Sequence, residues 1–383
     1  MSKVAINEIT LTNIGNAIRE KTGKTDLIAP GDMPAEIASI STGGGGGVEI
    51  EPIVLSGNCS RYGTGLLSAK CIEVFGDKIT TNNLGNISYM FKDYLLTNIP
   101  FELNMSGMTY YSCDNLFNGA SKLKALPIMN NFYPSTMQAF CKDCYRLRTI
   151  PEEAINNWNY SELKSYDWGS LNEIFCYCYS LRNIPESFLK NLYGRSTSYY
   201  NNLFYRGFYY CFSLDEIRGL NFSPDVTMTS NLFNNTFDYC ERVKDIIFDC
   251  NEDGSPKIIR ATSQTIDLTN KIGSAASSRD ILNYNSGITA DKQVTDDATY
   301  QALKDDPDWW TTDSAYCRYN HDSAVRTINS LPDTSAYLAS DGGTNTIKFR
   351  GASGGKTDGG AINTLTEEEI AVATAKGWTV TLV

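Results

Sequence analysis

The sequence predicts an α+β protein whose centre is an irregular solenoid of stacked coils. A small helical module precedes it and an α/β cap follows it. Three observations lead there. Apolar residues recur at every third position in six related copies between residues 87 and 247. Five consecutive glycines, Gly43–Gly47, separate a short head from everything downstream. Past residue 250 the three-residue rhythm stops and helix and strand patterns replace it.

The head, residues 1–42, reads as two short helices. Leu11, Ile14 and Ile18 share one face of a helix over Thr10–Lys21, with Thr10 as its N-cap and Gly23 as its C-terminal stop. Pro34 suits the first turn of a second helix that carries Ile37 and Ile40 on its inner face. Such a pair buries little by itself, so these five apolar residues are candidates for attachment to another protein or another copy. The polyglycine at 43–47 is a joint without packing of its own.

Residues 48–250 form the solenoid, with repeat cores at 87–247. Three copies align without gaps: Phe175, Cys178, Leu181, Ile184; Phe208, Cys211, Leu214, Ile217; and Phe237, Cys240, Val243, Ile246. Looser copies are Phe117, Ala120, Leu123, Leu126 and Cys141, Cys144, Leu147, Ile150, with a degenerate first one at Met90, Asp93, Leu96, Ile99. Each copy is too small to bury its own apolar side, and stacking joins those sides into one core. A three-residue rhythm suits a 3₁₀-like turn leading into a short strand. Pro100, Pro127, Pro151 and Pro185 follow the fourth apolar residue and should end or redirect that strand.

Residues 251–383 read as the cap. Asn251–Pro256 is a turn. Helices are predicted over Asp297–Lys304 and Ser323–Asn329, the latter capped by Asp322 or Ser323. Thr366 and Glu369 match a capping box, the helix behind them stops at Gly377, and Trp378–Val383 alternates like a closing strand.

Composition narrows the functional classes. The net charge of −11 disfavours nucleic acid and anionic lipid as partners. No apolar run is long enough to span a bilayer, and no export signal opens the sequence, which predicts synthesis in the cytoplasm without membrane insertion. Eleven cysteines could suggest zinc, above all Cys141, Cys144, Cys176 and Cys178. Yet Cys144, Cys178, Cys211 and Cys240 hold one repeat position, where another copy has Ala120, so a small buried side chain is what the position requires. Asp249, Asn251, Asp253 and Gly254 imitate the start of a calcium loop, but its twelfth position is Arg260. Gly23-Lys24-Thr25 lacks the earlier glycine of a phosphate loop. No metal and no cofactor is expected.

Catalysis finds little to use. His321 is the one histidine, and its place beside a helix start suggests a structural role. Two carboxylates suffice for glycoside cleavage, but 44 acidic residues offer pairs that chance alone would supply. The expectation is a protein that is not an enzyme. Aromatic residues crowd two connections: Trp158, Tyr160, Tyr166 and Trp168 in one, and Tyr193, Arg195, Tyr199, Tyr200 and Tyr205 in the next. Tyr and Trp give large contact area at low entropic cost, so these nine are the candidate receptor-binding residues; the alternative is that they cover the core.

The repeat Phe-x-x-Cys-x-x-Leu-x-x-Ile-Pro resembles BspA-type leucine-rich repeats. The segment "SAVRTINSLPDTSAYL" at 323–338 with "LTEEEIAVATAKGWTVTLV" at 365–383 resembles the terminal module of such proteins in phages and prophages of gut Firmicutes. "IGNAIREKTGKTDLIAPGDMPAEIASI", residues 14–40, is similar to an anchoring module of their tail and baseplate-associated proteins. The resemblance implies a leucine-rich-repeat-like solenoid in a virion tail fibre, joined to tail or baseplate proteins at its N-terminus and binding a bacterial surface glycan or protein. It implies a homo-oligomer, a trimer by analogy with fibres. Alternatives are a bacterial surface adhesin of the same repeat type, a purely structural tail decoration, or a glycan depolymerase.

Overall fold

A computed structural model describes residues 15–16, 18–20, 52–60, 69–105, 111–155, 158–159, 171–190, 203–221, 228, 231–270, 319–350 and 365–383. They form a mixed α and β structure with several small sheets and no closed barrel among them. Of the head, residues 15–16 and 18–20 are helical and Ile18 is buried. Leu11, Ile14, Ile37 and Ile40 lie outside the described residues, as do the polyglycine and the helix expected over Asp297–Lys304.

The first strand, β1 (Ile53–Gly57), pairs in parallel with β2 (Ile79–Leu84), and helix α1 (Ala69–Phe75) lies between them in the chain. Leu84 bridges in parallel to Met105, just past β3 (Leu103–Asn104), and β3 pairs with β5 (Met129–Asn130). Strand β4 (Tyr111–Ser112) pairs with β6 (Pro134–Thr136).

The six repeat copies lie side by side, and their backbone bonding alternates residue by residue. The amides of Phe91, Phe117, Cys141, Phe175 and Phe208 donate sideways, each to a carbonyl of the next copy, over 2.8–3.0 Å. Residues two before and two after do the same: the Glu173 amide reaches the Tyr205 carbonyl and the Tyr177 amide that of Tyr209, both over 2.8 Å. The amides in between turn back three residues, as Cys178 does to Phe175 and Leu181 to Cys178. Every second amide therefore ties copies together and the others close turns, which satisfies a backbone that is buried on the core side. A second row crosses all six copies: Lys124 to Thr97, Arg148 to Lys124, Arg182 to Arg148, Asp215 to Arg182 and Lys244 to Asp215.

The alternation has a conformational cost. Two residues four apart in each copy have positive φ and flank the phenylalanine position: Tyr89 and Asp93, Asn115 and Gly119, Ala139 and Asp143, Glu173 and Tyr177, Arg206 and Tyr210, Asn235 and Tyr239. The first copy also corrects the sequence alignment. Phe91, not Met90, takes the phenylalanine position: its ring stacks on Phe117 at 5.5 Å and 4°, and Asp93 aligns with the left-handed Gly119. The Lys124 amide still reaches the Thr97 carbonyl, which keeps Leu96 in line with Leu123, so this copy's turn is one residue shorter than the next.

The copies end in two ways: past Pro100 and Pro127 the chain runs into the strands β3 and β5. After Pro151 and Pro185 the chain enters short helices, α2 (Glu152–Ile155) and α3 (Glu186–Lys190). The fifth and sixth copies have no proline there and continue as β7 (Glu216–Leu220) and β8 (Asp245–Phe248), paired in parallel. Gly219, at φ +80°, lets β7 pass α3: a Cβ there would come within 2.9 Å of the Glu186 carbonyl oxygen. The Asn221 side chain then donates to the Lys190 carbonyl, 2.8 Å away at the end of α3.

Helix α4 (His321–Ser330) lies on β8. Thr327 Oγ1 donates to the Ile246 carbonyl at 2.8 Å, and the Phe248 amide donates to Ser330 Oγ at 3.1 Å, so side chains complete backbone groups of the last copy. Asp245, buried, holds Arg218 of β7 and Arg326 of α4. The N-cap of α4 is Asn320 rather than Asp322 or Ser323: its Oδ1 accepts from the Ser323 amide, so the helix starts two residues earlier than expected. Helix α5 (Ser335–Asp341) leads to β10 (Asn345–Phe349), which pairs in parallel with β9 (Thr265–Leu268) and with β11 (Trp378–Leu382). Helix α6 (Glu367–Ala375) has the predicted capping box, Gly377 follows it at φ +83°, and β11 is the predicted closing strand.

Candidate binding surface

Numbered from the phenylalanine position of each copy, the residue two further on is left-handed. In the last three copies it is tyrosine: Tyr177, Tyr210 and Tyr239, each half-buried. Their rings form a row, with Tyr177 5.4 Å from Tyr210, and Tyr210 stacked on Tyr239 at 4.1 Å and 11°. Tyr209 stands edge-on to both Tyr177 and Tyr239, 5.7 Å from each. Tyrosine is a poor choice for a left-handed backbone, which costs a bulky residue on the order of 1–3 kcal/mol. Asp93, Gly119 and Asp143 show that the earlier copies use residues that tolerate it.

Charged groups border the row. Arg206 lies over the rings of Tyr205 and Tyr209, 5.0 Å from each centroid. Lys142 pairs with Glu173 at 2.7 Å, and Arg206 approaches the same carboxylate at 4.0 Å. Asp238 accepts from the Asn270 side chain at 3.0 Å, and Asp143 accepts from the Tyr145 hydroxyl at 3.1 Å. Burial raises the Tyr177 phenol to about 12 and also raises Tyr209 and the Asp238 carboxyl. Tyr177 and Tyr209 therefore stay protonated as hydroxyl donors at neutral pH.

A second aromatic row lies two residues further along in the third, fourth and fifth copies and is buried: Tyr145 stacks on Tyr179 at 4.9 Å, and Tyr179 meets Phe212 at 5.2 Å. It supports the outer row from below; Tyr177 meets Tyr179 edge to face at 6.2 Å, and Tyr210 meets Phe212 at 5.3 Å.

Of the nine residues singled out in the sequence, two are described. Trp158 is corrected to a core residue, 7% exposed, with its ring 4.5 Å from Phe132, 5.8 Å from Phe140 and 5.7 Å from Phe188. Its amide donates to the carbonyl of Ile155, the buried last residue of α2, over 2.9 Å. Tyr205 is half-buried beneath Arg206, at the edge of the tyrosine row. Tyr160, Tyr166, Trp168, Tyr193, Arg195, Tyr199 and Tyr200 lie outside the described residues. Sequence reasoning missed Tyr177, Tyr209, Tyr210 and Tyr239. The shared repeat position of Tyr177, Tyr210 and Tyr239 is the signal that could have found them, but the frame served only to find the core.

The cysteines of the repeat have a more specific task than filling space. Cys144, Cys178, Cys211 and Cys240 each direct a thiol at a carbonyl of the preceding copy, that of Phe117, Cys141, Phe175 and Phe208, at 3.0–3.3 Å. Burial raises the thiols of Cys178, Cys211 and Cys240, which keeps them protonated as donors. No group of three His, Cys, Asp or Glu residues suited to a metal ion occurs among the described residues. The calcium-like segment is a hairpin turn in which Asp249 pairs with Lys257 and Asp253 accepts from the Ser255 amide. His321 bonds to Glu369 at 3.1 Å and Asp322 at 3.3 Å, joining α4 to the capping box of α6.

No described helix is long and apolar enough to cross a membrane. Neither a protein-family model, nor a curated protein, nor a solved structure matches this chain.

Proposed function

We propose that this chain is a non-enzymatic binding protein of a phage tail. In this reading the side-by-side copies form an irregular leucine-rich-repeat-like solenoid. Residues 1–42 attach it to tail or baseplate proteins, the polyglycine lets it reorient, and the tyrosine row meets a bacterial surface molecule. The observation that carries the reading is the row itself. Three successive copies place a bulky aromatic where the backbone disfavours one, and leave it only partly buried. Bulky residues also stand at the other left-handed turn, as at Tyr89 and Arg206, so it is the stacked and partly exposed repetition of tyrosine at one turn, where Asp93, Gly119 and Asp143 serve the earlier copies, that points to use. Tyrosines held in one arrangement bind with little further loss of conformational entropy. Oligomerisation would turn weak contacts into avidity.

The test is binding of the full-length protein to intact bacterial cells, beside a full-length variant carrying Tyr177→Asn, Tyr210→Asn and Tyr239→Asn. Asparagine accepts the left-handed backbone, so the variant keeps its fold while losing the rings. Strain-specific binding that the variant loses supports the proposal. Binding that the folded variant retains removes the row from the mechanism, and no binding to strains the parent phage infects removes the receptor-binding role.

A further inference from the structure

The chemistry around the tyrosine row also bears on what it binds, and the step rests on reading that row as the receptor-binding surface. We infer that the row binds an uncharged stretch of glycan lying across the last three repeat copies. A sugar ring offers weakly polar C–H faces together with hydroxyls that both donate and accept. The row supplies matching groups: aromatic rings, phenol hydroxyls, the donors Arg206 and Lys142, and the acceptors Asp238 and Glu173.

The charges argue for a neutral ligand. Lys142 and Arg206 are both engaged by Glu173, and Arg206 is further held over two rings. Asp238 is engaged by Asn270, and Asp143 by Tyr145. Among the described residues bordering the row, positive and negative groups are thus interspersed and engaged with one another, which disfavours a polyanion or polycation there. A protein partner fits less well, because Lys, Asp and Glu are depleted where protein interfaces are driest, and here they border the rings directly. The direction follows from the fold. The rings recur once per copy, so the row runs perpendicular to the chain's course and suits an extended polymer crossing several copies.

Full-length protein and the Tyr177→Asn, Tyr210→Asn, Tyr239→Asn variant are applied to an array of bacterial polysaccharides, some neutral and others bearing uronate or phosphate. Titration calorimetry follows on the strongest binders. The expected result is binding to neutral polysaccharides, at least about tenfold weaker in the variant, as loss of central aromatic contacts produces. It should change little when salt is raised to about 1 M, where the screening length falls to about 3 Å. A second variant, Arg206→Gln, should weaken binding without changing this preference. Binding confined to charged polysaccharides, affinity that collapses in salt, or no binding on the array overturns the inference. Treated cells separate this failure from failure of the broader reading. If tyrosine-dependent cell binding is destroyed by protease and survives periodate, the ligand is a protein: the glycan assignment falls and the receptor-binding role stands. If cell binding ignores the tyrosines, both fall.

Discussion

The first three repeat copies and the last three share a backbone but not a surface. Each copy turns left-handed two residues past the phenylalanine position, and the first five pass an amide sideways from that position to the next copy. The early copies place Asp93, Gly119 and Asp143 at that turn; the late ones place Tyr177, Tyr210 and Tyr239. Since the backbone demand is the same, the fold does not account for the tyrosines. What the core requires is written in one column of the repeat, and what the outer face presents is written in another.

The largest test of this division is in the core. Phe117→Ala and Phe208→Ala sit at the same position in the two halves, and both rings are fully buried among stacked neighbours. Each should cost about 3–5 kcal/mol in chemical denaturation, through lost burial and the cavity left behind. Similar losses in both halves support a shared core. A loss in only one half would break the equivalence of the copies.

The two aromatic rows sharpen the comparison. Tyr179→Ala removes a buried ring and should cost about 3 kcal/mol. Tyr210→Asn removes stacking worth roughly 0.5–1.5 kcal/mol but also relieves a strained backbone of similar magnitude, so the net change should stay within about 1 kcal/mol. Denaturation midpoints of the two variants decide the matter. Equal destabilisation would show that the outer row is structural after all.

The core is legible in the sequence because burial selects residue type strongly: Phe, Cys, Leu and Ile recur at their positions and predict the i to i+3 turns. Pro151 and Pro185 announce a change of course but not a helix, because proline restricts φ and leaves the following residues free. Met90 is misassigned because a one-residue shortening is invisible when both Met90 and Phe91 are apolar. The tyrosine row is harder to read, because the repeat frame points first to the apolar positions. The shared repeat position of Tyr177, Tyr210 and Tyr239 marks them in the sequence, but their stacking and partial exposure follow only from the way the copies are bonded side by side.

The cysteine column gives a smaller effect. Cys178→Ala keeps the size that Ala120 shows to be acceptable and deletes only the thiol bond to the Cys141 carbonyl, 3.0 Å away. A thiol is a weak donor, and that carbonyl also accepts the Cys144 amide, so the cost should be about 0.5–1 kcal/mol from the bond plus a small cavity. Cys178→Leu, which keeps apolarity but not size, should be far worse. If alanine proved as damaging as leucine, the position would select for the thiol itself rather than for a small side chain.

The smallest effect lies at the far end of the chain, in His321. Its two ring nitrogens face two carboxylates, Nε2 toward Glu369 and Nδ1 toward Asp322. Neutral imidazole has one N–H and can donate to only one of them, whereas the imidazolium donates to both. The bond to Glu369, offset in part by burial, accordingly raises the His321 pKa above 6.5. A raised folded-state pKa means that this stabilisation is fully present below about pH 6.5, the unfolded value, and fades as pH climbs through the folded one. The reciprocal lowering of Glu369 owes most to the Thr366 amide of the capping box, and its share is lost only in acid, as that carboxylate protonates. Melting of the full-length protein should therefore show a slight decline between mildly acidic and mildly alkaline pH that His321→Gln abolishes. The same decline should shrink in Glu369→Gln, which leaves only the Asp322 contact and also weakens the α6 cap. A decline that persists in both variants would assign the effect elsewhere, since His321 is the sole histidine of the chain.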